Sequence, residues 1–432
     1  MKKFDLQGVL TALAVFLPLA LIAKYHRDDL PLPEDARVGF PRFLGVPVTL
    51  LCYFSWAVLP LVSSPGFRAK LRSSGSIALL VVIFCFAFLG WLGGNLTRSV
   101  VLDVQLWLGL FAGLGLAYTV FRTRVAIEIH ILLIAWCLAM AAYSLYIRAE
   151  GLALGTDRII EPIAFHYLGL LIALVGMLPI WRARLPVLTL AFGVAVSISL
   201  IAVSAFIVVG RAFTITFSVL LISLCVCEYY FGKRRGGGGL SPKVQKTVLA
   251  FMLFGVFVLM GTLINSVIKN STMLDRFTSD SYSVDENSRL VELVETANNL
   301  TGVQWLFGGG LGYTTAGVTG GGLGLHIGIL TFVVKFGLPL GGAFVFMILY
   351  YITRSLLLIF RAGGGVGPPR GSLLVFPAAV SLFVVSCLSG GYYEFGFVML
   401  GYLYGAAVLY DEPQNASKGF GLRVPRRRPN AT

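Results

Sequence analysis

Charge is what this chain has least of. Only 12% of its 432 residues are Asp, Glu, Lys or Arg, while 57% are hydrophobic and the mean hydropathy is +0.85. A soluble domain carries roughly 25% charged residues because its surface faces water, so an ordinary soluble protein is excluded. Cysteine is scarce as well. Cys52, Cys85, Cys137, Cys225, Cys227 and Cys387 all fall in apolar runs, without metal-ligand neighbours. They read as small core- or lipid-facing side chains rather than a disulfide framework. No Walker or dinucleotide motif, no Asp-x-Asp and no convincing internal repeat is present. No cofactor and no metal is therefore implied.

Long apolar runs are what the chain has instead. They predict an all-α polytopic membrane protein with about twelve transmembrane helices. The predicted spans are 8–23, 44–63, 77–95, 104–121, 127–147, 166–181, 186–209, 212–231, 247–268, 326–360, 372–388 and 395–410. A β-barrel would show shorter segments that alternate in character, and these do not. The run 326–360 is too long for one straight crossing, and Gly337-Leu338-Pro339 predicts a break inside it.

The net charge of +14 raises the question of nucleic acid, which the distribution of charge answers. With the N-terminus inside, most of the 34 Lys and Arg fall on the inner connections and tails, among them Arg68, Lys70, Arg72, Lys233, Arg234, Arg235 and Arg426 to Arg428. This bias sets orientation in a bilayer and predicts both termini in the cytoplasm. The partner is lipid, not nucleic acid. Residues 233–242 read as a flexible inner hinge, and the basic tail 411–432 meets anionic headgroups.

One segment breaks the apolar theme. Residues 270–325 are polar and glycine-studded, and they separate spans 1–9 (1–269) from the last three (326–410). Within this outer loop, 284–300 predicts an amphipathic helix capped by Ser283 or Asp285, its apolar side formed by Leu290, Val291, Leu293, Val294 and Ala297. Trp305-Leu306-Phe307 and a run from Gly308 to Tyr313 follow.

Three side chains on this face carry chemistry. Arg211 is the only charge in a tight connection between two very apolar spans, where an unpartnered cation is costly. Its bland reading is an interfacial anchor. Arg289 lies on the loop helix with Glu286 and Glu292 three residues away on either side; its bland reading is a surface ion pair. His326 opens a membrane segment directly after the loop, and a lone His there is more often structural than catalytic. Together, two guanidiniums suit a diphosphate and a His nearby suits proton transfer from a sugar hydroxyl. Gly310, Gly312 and Tyr313 belong to a backbone open to close approach by a head group. Arg148, Arg158 and His166 on the next largest outer loop, and Glu394 in the last outer turn, are further substrate-binding candidates, although for each a solvated loop charge is the commoner reading.

The order of these pieces (Arg211; Ser288-Arg289-Leu290; Trp305 to Tyr313; His326 to Gly342) resembles the O-antigen ligase/polymerase superfamily. The resemblance implies a GT-C-like helical fold in the bacterial inner membrane, with the loop between the ninth and tenth spans facing the periplasm. It implies an undecaprenyl-diphosphate-linked glycan as donor, and Arg211, Arg289 and His326 as a metal-independent catalytic set. The acceptor is a second lipid-linked repeat unit in a polymerase, or lipid A-core in a ligase. Ile327 after His326 departs from the ligase pattern, and Lys335-Phe336-Gly337 is closer to the polymerases. Whether a chain-length regulator joins the enzyme is not written in the sequence. The rival from another class is a lipid-linked oligosaccharide transporter, but polarity is concentrated in one outer loop rather than at mid-membrane.

Overall fold

A backbone in hydrocarbon must satisfy its own N–H and C=O groups, and long apolar runs do so as α-helices. The computed structural model describes residues 6–28, 42–43, 46–123, 125–153, 161–183, parts of 193–200, 211–234, 288–313, 328–361, 371–389 and 395–411. The predicted segments 186–209 and 247–268 lie largely or wholly outside these; each of the other ten predicted segments overlaps one or two helices. The first group is α1 (Leu6–Asp28), α2 (Val48–Ser63), α3 (Pro65–Leu71), α4 (Ser74–Leu92), α5 (Thr97–Phe121), α6 (Ala126–Ala153), α7 (Glu161–Gly176) and α8 (Arg211–Arg234). A 3-10 turn, Leu178–Ala183, follows α7, and a small ladder pairs Arg42–Phe43 with Val46–Pro47. After α8 come α9 (Ser288–Asn299), α10 (Gly302–Phe307), α11 (Gly328–Arg361), α12 (Gly371–Leu374), α13 (Phe376–Ser389) and α14 (Phe395–Asp411).

Helix ends follow local chemistry. Ser64 is extended, accepts a hydrogen bond from the Phe67 N–H at 3.2 Å, and precedes Pro65 at the first position of α3. The chain turns by 116° between α2 and α3. The Arg68 guanidinium then donates to the Leu61 and Val62 carbonyls at 3.1 and 2.9 Å, which the end of α2 leaves without helical partners.

Small residues set the closest packing. Gly109 and Gly113 on α5 meet α14, which presents Gly401 and Gly405 at the same four-residue spacing. A Cβ on Gly113 would lie 1.8 Å from the Val398 carbonyl oxygen, and one on Gly401 would lie 1.9 Å from that of Leu110. This is the small-residue contact that lets helix backbones approach without a hydrophobic driving force between them. Around it lies the main core, in which Phe121 stacks on Trp181 with ring centroids 5.2 Å apart.

The outer surface of the helices is apolar. On α4, Ile77, Val81, Phe84, Phe88, Trp91 and Leu92 are each more than half exposed. Such a stripe is stable against lipid and not against water. Among the described residues, α4, Ser99–Phe121 of α5 and Gly328–Leu358 of α11 are long and apolar enough to cross a membrane, with α2 and α3 a fourth if the bent pair is one span. The break predicted in the long run is present: Gly337 has φ 76° and ψ 166°, so α11 is two helices that meet there. The cysteines are free thiols, buried at Cys52, Cys137 and Cys227 and exposed at Cys85.

Candidate functional site

The glycine run is built into the helices rather than suspended beyond them. From Gly308 to Tyr313 the chain forms a strap lying against α4, α5 and the break in α11. Each N–H along it has an acceptor. Gly308 donates to the Gln304 carbonyl at 2.7 Å, Gly309 to Val334 at 2.8 Å, Gly310 to Lys335 at 3.1 Å and Leu311 to Phe86 at 3.0 Å. Tyr313 donates back to the Gly310 carbonyl at 3.4 Å. Gly312 has no backbone partner and donates instead to the Asp103 carboxylate. The strap carbonyls of Gly309 and Leu311 accept from the Asn95 amide at 2.9 and 3.0 Å. Buried backbone groups are almost always paired, and here the pairing spans three helices.

Two of these acceptors exist because of Gly337 and Pro339. In an unbroken helix the Lys335 carbonyl would accept from residue 339, but proline has no N–H. The left-handed Gly337 disrupts the neighbouring turn. The carbonyls of Val334 and Lys335 are taken up by the strap instead.

Asp103 and Lys335 form a buried ion pair, their side chains 3% and 5% exposed. The pair lies against the second, smaller core of Ile83, Val100, Trp107, Leu311, Phe332, Phe336 and Phe397. Trp107, one turn after Asp103 on α5, holds the Phe336 and Phe397 rings at 5.0 and 4.6 Å. Two charges shielded from water are stable only when matched and hydrogen-bonded. Here the carboxylate receives both the Lys335 ammonium and the Gly312 N–H.

Upstream of the strap, α10 packs against α11. Thr301 caps α10 in a reciprocal capping box with Gln304. Leu300 is buried against Val334, with Tyr313 and Leu330 beside them. The helix predicted over 284–300 is described from Ser288 to Asn299; among its described side chains Thr296 is buried and Val294, expected on the apolar side, is exposed, and Leu300 just past its end is buried.

The sequence candidates are distributed as follows. Arg211 is the first residue of α8 and Arg289 the second of α9; Arg148 lies near the end of α6 and His166 in the second turn of α7. The side chains of these four lie outside the described residues, as do His326, Arg158 and Glu394 entirely. Gly310 and Gly312 are buried and Tyr313 half-buried. The close approach expected of the two glycines is made to the protein's own helices: a Cβ on Gly310 would lie 2.4 Å from the Gly90 nitrogen, and one on Gly312 2.6 Å from the Val100 nitrogen. Sequence reasoning did not find Asp103 or Asn95. An acid at the start of one apolar run and a Lys inside another was the available signal, since intramembrane charges of opposite sign seek each other.

No family model, no curated protein and no solved structure matches this chain.

Proposed function

We propose that the chain is a membrane-embedded glycosyltransferase of about twelve spans, acting on undecaprenyl-diphosphate-linked glycans at the periplasmic face of the bacterial inner membrane. The observation that carries this reading is the order of its parts. A cation begins a helix at Arg211, a second lies on the loop helix at Arg289, the strap follows, and His326 precedes a broken helix. Arg211 and Arg289 clamp the donor diphosphate. The acceptor hydroxyl oxygen forms a bond to the anomeric carbon while the bond from that carbon to the diphosphate oxygen breaks. The electron pair leaves with the diphosphate, where the guanidiniums stabilise it, and His326 takes the hydroxyl proton. A single displacement inverts the anomeric configuration. The arginines supply the positive charge, so the reaction is expected to proceed in EDTA.

The acceptor favoured is a second lipid-linked repeat unit, making the enzyme a polymerase, because Ile327 departs from the ligase pattern. Purified protein in liposomes, given a synthetic undecaprenyl-diphosphate repeat unit and EDTA, tests this. A ladder of products from donor alone supports the polymerase. Transfer only after lipid A-core is added makes the protein a ligase. No turnover under either condition, with net movement of the donor between leaflets, makes it a transporter.

A further inference from the structure

We propose that Asp103 is a positioning residue: its buried carboxylate clasps the Gly308–Tyr313 strap and, through it, sets the helix that carries Arg289. The proposal deepens the reading above and rests on it for the role of Arg289.

The reasoning starts from an N–H. The strap lies in apolar surroundings, with Leu311 fully buried among Ile83, Val100 and Phe336. Each backbone donor buried in such surroundings needs an acceptor, and a protein group supplies it. Helix carbonyls serve Gly309, Gly310 and Leu311, but not Gly312. A carboxylate projecting from α5 meets that need at Asp103. Its charge must in turn be neutralised, which Lys335 does. The ion pair follows from the acceptor. Two apolar side chains would fill the same space but leave Gly312 without a partner.

Rigid connections carry the effect outward. Between α9 and the strap lie only Leu300, Thr301 and the six-residue helix α10, closed by its capping box. Leu300 is buried against Val334, whose carbonyl receives the Gly309 N–H. No slack linker separates the strap from α9. A strap released from Asp103 therefore releases the helix on which Arg289 sits.

Two charge-free double variants separate this role from plain packing. D103N/K335M keeps an oxygen at position 103 that accepts from Gly312; D103L/K335M does not. Hydrogen–deuterium exchange of the full-length protein in lipid nanodiscs reads the amides of 308–313 and 288–299. Wild type and D103N/K335M are expected to protect both segments. D103L/K335M is expected to speed exchange in both by roughly tenfold or more. Equal exchange in the two doubles overturns the proposal, as does a faster strap beside an unchanged 288–299. Should D103L/K335M fail to fold, the reversal D103K/K335D carries the comparison, since it keeps the ion pair and sets a donor against the Gly312 N–H. Lost protection supports the clasp; restored protection reduces it to an ordinary ion pair and overturns it.

Donor turnover, measured in parallel, is expected to fall by roughly 100-fold in kcat/KM only where 288–299 loses protection. A wild type that turns over no donor removes the glycan-transfer reading, and the exchange comparison is unaffected by that result.

Discussion

Gly310 of the strap rests directly on Gly90 of α4. A Cβ on Gly310 would lie 2.4 Å from the Gly90 nitrogen, and one on Gly90 would lie 2.0 Å from the Leu311 carbonyl oxygen. The contact is backbone on backbone, so neither side has a flexible group that could move aside.

Gly90→Ala is therefore expected to lower stability by about 1–3 kcal/mol, the usual range for overpacking a tight site. Thermal unfolding in detergent measures it. Gly342→Ala, where a Cβ meets nothing within 4 Å, is the matched control and should leave the transition in place. Equal behaviour of the two variants would refute the close contact.

The α5–α14 seam makes a second prediction. Gly113→Val and Gly401→Val each force a side chain into the opposing backbone and are expected to cost at least as much, about 3 kcal/mol. Gly169→Ala, with open space around its Cβ position, should be neutral. A native-like transition in both valine variants would show that the two helices do not meet here.

Removing one member of the buried ion pair strands the other. Asp103→Asn and Lys335→Met are each expected to destabilise by about 3–5 kcal/mol. The double D103N/K335M is expected to cost less than either single, a non-additivity that a double-mutant cycle in denaturant reads. Additive losses would mean the two side chains do not interact.

For the proposed transfer reaction, Arg211→Ala and Arg289→Ala are expected to lower kcat by about 100- to 1000-fold, the scale for losing one stabilising donor of transition-state charge. Arg→Lys at either position keeps charge but not the bidentate fork, so an intermediate rate is expected. Both series should elute as folded protein. Full activity in either alanine variant would remove that arginine from the site.

The stripe on α4 gives a test of lipid contact. Phe84→Lys places a charge amid side chains that face outward, at a cost of about 3 kcal/mol for a residue near the centre of a span. Reduced membrane insertion is expected, and normal insertion would argue that this face is wet.

The helices were legible because an apolar run and a break signal are local properties. Gly337 and Pro339 announce the interruption of α11 within three residues. The strap was legible only by half. Glycines at 308, 310 and 312 predict unusual backbone, yet nothing local says what that backbone touches. The partners at Phe86, Asn95 and Asp103 lie some 200 positions earlier, with separations of 209 to 216 residues for the side-chain bonds. Asp103 was hidden by a boundary as well. The predicted span 104–121 leaves it as a loop charge, whereas α5 extends back to Thr97 and buries it. The spacing of Gly109 with Gly113 and of Gly401 with Gly405 was available in the sequence, but a glycine pair does not name its opposing helix.

The break in α11 has a consequence for how this region tolerates change in length. Surface loops ordinarily accept insertions because their backbones bond to water. The strap is a loop by shape, but its donors and acceptors are matched one by one to Val334, Lys335, Phe86, Asp103 and Asn95. Adding or deleting a single residue between Gly308 and Gly312 shifts the register and mismatches several of these pairs together. Length in this region is as constrained as side-chain volume is in a packed core, and variation in the length of 270–325 must be taken up outside the strap.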